Sequence, residues 1–432
     1  KDASVPVNRE KIQNLLDRLM ENVPLEEIAE RLAPKNFPSK PKLKHSKILN
    51  EEKIDLQWQL LKENSALTDD DQSLIADPTT RAQISAYQKN IEYCIGTLKL
   101  PIGIAGPLRV NGLFAQDDFY IPLACTEAAL VASYSRGARL ITDAGGCSTL
   151  ITNDGLTRSP GFVFKNMQEV SQFILWAHEQ FDAFKQTAET TTQHGKLVDI
   201  RTTIEGNHVY LNFDYSTGDA AGQNMTTIAT AAILKTIQEN SPIKPQHSFI
   251  EANLSGDKKA SALSYLSVRG KKVTAEVIIE ASLVKKHLHT TPQKMVEYWR
   301  LAALGGVMSG TMGIQAHYAN ALTALYLATG QDVACVSESS VGVTRLEITS
   351  EGSLYACVTL PNVVVGTVGG GTQLPTQAVG LKLLGLAGEG NVHAFAEVCT
   401  ACCLAGELSI MGAMCAGDFA SAHQRLARGK KT

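Results

Sequence analysis

The chain is 432 residues long and 44% hydrophobic, enough for a large core and two or three domains, which excludes a disordered tail or a disulfide-stapled miniprotein. Charged residues make up only 19% and the formal net charge is −3, so there is no basic footprint for nucleic acid or anionic lipid, and the expected partner is a small molecule. Nine cysteines, an odd number with no spaced framework, favour a reducing, cytoplasmic compartment.

Residues 1–95 are the most charged, and Ile12, Leu15, Leu16, Leu19 and Met20 recur at helical spacing, which predicts an N-terminal helical domain. From Leu100 the composition shifts to glycine, alanine and β-branched residues. A helix is expected over 126–141, opening at Thr126 and Glu127, with a glycine-rich break over 143–147. After Arg158-Ser159-Pro160, Val209, Leu211, Phe213 and Tyr215 alternate, and 197–204 can pair with them across a turn at Glu205-Gly206-Asn207. Flanking helices make 159–249 a compact α+β unit. A connecting loop over 250–260 follows. Residues 301–331 carry no Asp, Glu, Lys or Arg and are expected to form a buried central helix rather than a membrane span. A strand over 354–365, a glycine-rich loop over 366–372 and a helical close complete the chain, giving an α+β fold class.

Neither GxxxxGK[ST] nor a strand-to-helix GxGxxG occurs. Gly218-Asp219-Ala220-Ala221-Gly222-Gln223-Asn224 lies between a strand and a helix, where it reads either as an anion-binding turn or as an Asp219 N-cap on an ordinary helix. The loop over 366–372 reads equally as a ligand approach or a tight turn. Glu127 suits a helix N-terminus. Asp332, past a helix end that disfavours negative charge, needs a cationic partner, and Asp257-Lys258-Lys259 offers one. His423 by itself reads as a surface residue. Cys399 and Cys402 have CxxC spacing but no second pair, so they read as small apolar helix contacts, and no metal site is expected. An acid, a lysine, a second acid and a histidine with glycine-rich loops suggest proton transfer beside a nucleotide.

These segments, together with Leu100-Pro-Ile-Gly-Ile-Ala-Gly-Pro-Leu108, Asp154-Gly-Leu-Thr-Arg158, Gly330-Gln331-Asp332 and Gly406-Glu407-Leu408-Ser409, resemble the hydroxymethylglutaryl-coenzyme A reductase family over about residues 92–428. The contiguous Asp257-Lys258-Lys259 looks like its class I, in a soluble form without a membrane anchor. The resemblance implies reduction of the thioester to mevalonate and free coenzyme A with two NADPH, or NADH. It also implies one large domain of residues 96–158 and 261–432 around a long central helix, an inserted ferredoxin-like domain over 159–249 that binds the dinucleotide, and active sites shared between subunits of a homodimer or a dimer-of-dimers tetramer. By position it makes Lys258 the oxyanion stabiliser, Glu127 the acid for aldehyde reduction with Asp332 beside it, and His423 the proton donor to the leaving thiolate. Arg158, Asp257, Lys259 and Asn320 fall at acyl positions, and Ser133, Arg136, Arg139, His317 and Ser409 in the coenzyme A region. Asp219, Ala221, Gly222, Gln223, Asn224, Gly330, Gln331, Val368, Gly369 and Arg428 fall at cofactor positions.

The chain also departs from the family pattern. Ala221 and Gln223 stand where many class I members have methionine, Gln193 where many have arginine, and Glu251 where a substrate-contacting serine is usual. Gln193 keeps an alternative open, NAD-dependent oxidation of mevalonate. A second alternative is a non-catalytic acyl-CoA-binding module.

Overall fold

The computed structural model describes residues 9–417 apart from 23, 37–38, 44–45 and 268. In the N-terminal segment, α1 (Glu51–Glu63) starts where the Asn50 side chain accepts from Lys53 N. It buries Ile54 and Trp58 in a small cluster with Ala76, Ile84 and Cys94. Trp58 Nε1 donates to the Ile95 carbonyl at 2.7 Å, which fastens this helix to the chain entering the sheet.

β1 (Ile102–Gly112) and β2 (Gln116–Ala124) form an antiparallel hairpin, with α2 (Leu130–Asp143) packed on β1. β3 (Cys147–Arg158) is long enough to pair with β8 (Gly270–Ile279) over most of its length and with β6 (His208–Ser216) through its last three residues. It therefore joins two halves of one sheet. The first half is β4 (Gly161–Val163), β5 (Lys196–Glu205), β6 (His208–Ser216) and β7 (His247–Phe249), covered by α3 (Met167–Glu179), α4 (Phe181–Glu189) and α5 (Gln223–Asn240). Its core is separate and aromatic: Phe162, Phe164, Phe173, Phe184 and Phe213 pack with the alternate β6 residues Val209, Leu211 and Tyr215. β5 and β6 pair down to Glu205 and His208 across the expected turn.

The second half orders β3, β8 (Gly270–Ile279), β11 (Leu354–Val363), β10 (Gly342–Ile348) and β9 (Gly313–Ile314). Between β8 and β10 run α6 (Pro292–Ser309) and α7 (Tyr318–Thr329), and α8 (Val392–Ala416) closes the domain. α8 is apolar all round because protein surrounds it on all sides. It is long and apolar enough to cross a membrane, yet 83% of its most apolar window is buried inside the protein.

Two expectations are corrected here. Residues 301–331 are not one buried helix. Gly310 ends α6 at φ +74°, Gly313 at φ +106° sits where a Cβ would lie 2.1 Å from the Gly342 carbonyl, and α7 begins afresh at Tyr318. Leu301, Leu304, Val307 and Met308 are exposed, and α8 is the buried central helix. The helix expected from Thr126 starts only at Leu130, because Ala129 takes a left-handed φ of 71° that stops the helix from extending back to Glu127.

Candidate active site

The loop after β7 and the turn after α7 meet at a charged pair. Lys258 Nζ lies 2.7 Å from Asp332 Oδ2. Lys258 has a left-handed φ of 55°, and its main-chain N donates to Glu338 Oε1 at 3.2 Å, so the loop is anchored from below. Asp332 is placed by Gly330, which ends α7 at φ +71°, and its Oδ1 also accepts from Ala334 N, capping a short 3₁₀ turn. The hydrogen bond that Lys258 donates to Asp332 raises the Lys258 pKa above its usual range, with partial burial opposing it.

Beneath this pair is a buried network. Arg269, 1% exposed, forks onto both oxygens of Glu338 at 2.6 and 2.7 Å, and its Nη2 donates to Gln223 Oε1 at 2.7 Å. Nη2 also lies 2.9 Å from Asp257 Oδ1, close enough for charge pairing but not aligned for a hydrogen bond. Arg158 Nη1 donates to Asp257 Oδ2 at 2.9 Å. Burial acts against the Asp257 carboxylate, but Arg269 and Arg158 outweigh it and hold its pKa below the usual range. Glu338 is raised, because burial exceeds what Arg269 returns. Lys259 Nζ reaches only the Asp257 carbonyl, at 3.0 Å.

Glu127 is not beside Asp332. Its Oε2 accepts from Asn320 Nδ2 at 3.0 Å, and both line a cleft with Cys125, Leu130, Thr323 and Leu327. Asn320 lies in the first turn of α7 and Asp332 beyond its last, so about 14 Å of helix separates Asn320 from the turn that carries Asp332. The expected contact of Glu127 with Asp332 and Lys258 is therefore absent within one chain.

The glycine-rich loops do converge. Thr367 N donates to the Asp219 carbonyl at 2.9 Å, and Gly366 N donates to Gln331 Oε1 at 2.8 Å. A Cβ on Gly366 would lie 2.6 Å from Ala221 N, and one on Gly330 would lie 2.2 Å from the Gly371 carbonyl, so both approaches require glycine. Asp219 does not cap the helix that follows it. Gly222, at φ +82°, occupies that position with no side-chain cap, leaving the α5 N-terminus at Gln223 and Asn224 without one, while Asp219 Oδ1 accepts from Val392 N at the start of α8. Val368 and Gly369 continue the 366–372 loop.

A third group surrounds α2 and α8. Ser133 Oγ lies 2.9 Å from Ser409 Oγ, and Arg136 reaches Ser409 Oγ at 3.0 Å and its carbonyl at 2.8 Å. Arg139 is exposed on the next turn, with Nε on the Ser135 carbonyl at 3.3 Å. His317 stacks on Tyr134 at 5.4 Å and places Nδ1 3.2 Å from Glu407 Oε1. His423 and Arg428 lie outside the described residues. Cys399 and Cys402 are wholly buried in α8, and burial pushes the Cys402 thiol up to about 12.

Several structural acids and one arginine hold the fold together in roles that no sequence pattern indicates. Arg269 and Glu338 sit in ordinary loop and turn contexts, 69 residues apart. Glu397, fully buried, accepts from Leu113, Phe114 and Ala115 N at 3.1, 3.0 and 2.7 Å. Glu407 accepts from Ala316 N, His317 N and Thr344 Oγ1. Only Glu407 lay within a quoted motif.

The family model for hydroxymethylglutaryl-coenzyme A reductase matches residues 53–428. The chain is similar to the 3-hydroxy-3-methylglutaryl-coenzyme A reductase of Pyrococcus abyssi, 43% identical over 348 residues, covering 79% of this chain and 85% of that one. The reductase of the same name from Methanothermobacter thermautotrophicus is 45% identical over 346 residues, covering 80% and 86%. Among solved structures, the class II reductase of Streptococcus pneumoniae bound to NADPH in open conformations superposes with a TM-score of 0.62. It is 18% identical and covers 84% of this chain and 96% of that chain, a likeness of fold.

Proposed function

The chain belongs to the hydroxymethylglutaryl-coenzyme A reductase family and reduces 3-hydroxy-3-methylglutaryl-CoA in the mevalonate pathway; from that premise, we propose how its residues divide the work. The observation that carries this division is the pairing of Lys258 with Asp332 above a buried, charge-matched network. Lys258 stabilises the oxyanion that forms when the thioester and then the aldehyde carbonyl is attacked. A fixed charge serves here because no solvent has to reorganise as negative charge develops. Asp332 orients that ammonium and, through its hydrogen bond, keeps it protonated.

The dinucleotide site is assigned to the three converging loops. The open N-terminus of α5 offers N–H groups to a pyrophosphate, and the side-chain-free approaches at Gly366 and Gly330 leave the backbone accessible. Bound there, a reduced nicotinamide supplies the hydride for both reductions, with NADPH favoured over NADH. Asp219, Ala221, Gly222, Gln223, Asn224, Gly330, Gln331, Val368 and Gly369 would hold it, with Arg428 added by resemblance. Ser133, Arg136, Arg139, His317 and Ser409 would receive coenzyme A, and Arg158, Asp257, Lys259 and Asn320 the acyl group. His423 protonates the leaving thiolate. The residues 159–249 serve as the nucleotide domain.

We also place Glu127 in the site of a second copy of the chain. Its separation from Lys258 along α7 and the exposed apolar ridge of Leu301, Leu304, Val307 and Met308 on α6 support a dimer in which each site draws on both subunits. Contiguous Asp257-Lys258-Lys259 supports class I. The nine cysteines are unpaired, which supports a reducing compartment. The test is a coupled assay on the full chain with 3-hydroxy-3-methylglutaryl-CoA and either NADPH or NADH. Two cofactors consumed per thiol released is the expected stoichiometry, and no turnover with either cofactor overturns the reading.

A further inference from the structure

Arg158 closes β3 with its side chain only 8% exposed, and its hydrogen-bonding edge is already largely claimed. Nη1 donates to Asp257 Oδ2 at 2.9 Å and to Glu251 Oε2 at 3.4 Å. Nη2 faces Gln223 Oε1 at 3.3 Å, and Nε is buried with no partner. Glu251 is itself fixed, because Oε1 accepts from Asn253 N at 2.8 Å and Oε2 from Ser159 N at 3.2 Å. It is thus built into the turn that carries Arg158. Around these loops the described cations Arg158, Lys258, Lys259 and Arg269 are matched in number by Glu251, Asp257, Asp332 and Glu338.

A glutaryl thioester brings a carboxylate at the end of its acyl chain. At Arg158 that group would be the third carboxylate on one guanidinium and would meet Asp257 and Glu251 as like charges. An uncharged acyl end meets no such repulsion. We propose that Glu251 is a specificity-determining residue of the acyl subsite. By holding Arg158 it competes with the distal carboxylate and admits thioesters whose acyl chain ends in an uncharged group. This rests on the reductase reading above and on Arg158 lying in its acyl subsite. The reaction is unchanged: two hydrides and two protons convert the thioester to a primary alcohol and free thiol, breaking the carbon–sulfur bond.

The experiment compares 3-hydroxy-3-methylglutaryl-CoA with its distal methyl ester, which differs in that one charge, using the full chain and its Glu251→Ser and Glu251→Gln variants. The wild type is expected to turn over the ester, and both variants are expected to raise the kcat/KM ratio of acid over ester by about tenfold, through a lower KM for the acid. A residue that merely supports the turn would alter both thioesters alike. A ratio within twofold of wild type in Glu251→Gln, which keeps the side-chain shape, overturns the proposal, as does a wild type that reduces the acid but not the ester. A wild type that turns over neither thioester instead sinks the reductase reading, and this proposal with it.

Discussion

Lys258 and Asp332 meet at 2.7 Å although 74 positions separate them, each held by backbone that only a particular turn permits: left-handed φ at Lys258 and a glycine C-cap before Asp332. Asp332 raises the Lys258 pKa. A raised ammonium pKa means that the charged form, and whatever stability the pair contributes, is fully present below the ordinary lysine value and is lost only as pH climbs through the higher one. Asp332→Asn removes the cause, so the alkaline limb of the pH profile of kcat should move to lower pH, with kcat itself falling about a hundredfold. Steady-state rates across pH 7 to about 11 check this, and an unmoved alkaline limb would detach Asp332 from Lys258.

Arg269 and Glu338 are 1% and 0% exposed and bonded through two short contacts. Removing Glu338 leaves the buried Arg269 with Asp257 as its remaining charge partner, and breaking a buried pair in this way costs about 3–5 kcal/mol, whereas a surface pair would cost less than about 1 kcal/mol. Glu338→Ala should therefore lower the urea midpoint far more than Glu347→Ala at the exposed end of β10, which pairs with Arg345. Because Glu338 also accepts from Lys258 N, the same variant should lose activity even at temperatures where it stays folded.

What was legible in the sequence follows from what sequence patterns encode. The β5–β6 hairpin could be read because alternation at Val209, Leu211, Phe213 and Tyr215 is a local signal, and the burial confirms it. Scarcity of charge over 301–331 was a poorer guide: it records apolar surface without saying what covers it, and Leu301 and Met308 are 71% and 76% exposed. Glu127 was placed on a helix that a single left-handed residue, Ala129, keeps from reaching it. The loops carrying Asp219, Gly330 and Gly366 could each be seen, but not that they meet. Arg269 and Glu338 could not be read at all, since a buried charge is recognised by its partner and the partner is chosen by the tertiary fold.

Glu397 gives a test of a buried acid with a purely architectural task. Its carboxylate, reached from α8, accepts from three successive main-chain N–H groups in the β1–β2 turn. Glu397 is fully buried, and a Cβ on Gly112 would lie 2.2 Å from Oε2, so the turn closes tightly over the carboxylate. Glu397→Ala should cost about 3 kcal/mol or more, from donors left unsatisfied at about 1–3 kcal/mol each. Glu397→Gln, which keeps one acceptor, should cost less. Denaturant unfolding of both variants checks the order, and equal losses would mean that packing rather than hydrogen bonding matters at this position.

Glu127 and Lys258 supply the test of the shared site, because one chain keeps them apart while the proposed chemistry needs both. If each site takes Glu127 from one subunit and Lys258 from the other, Glu127→Gln and Lys258→Ala homodimers should both be nearly inactive. A mixed dimer is different. One of its two sites would contain both substituted residues and the other would contain neither, so one intact site is regenerated. With random assortment, half of the dimers are mixed and half of their sites work, so co-expressed variants should recover about a quarter of wild-type activity. If both residues served the same site from one chain, every site in the mixture would carry a defect and activity would stay at the level of the single variants. Activity of the co-purified mixture, set against the same two proteins mixed after folding without subunit exchange, decides between these arrangements.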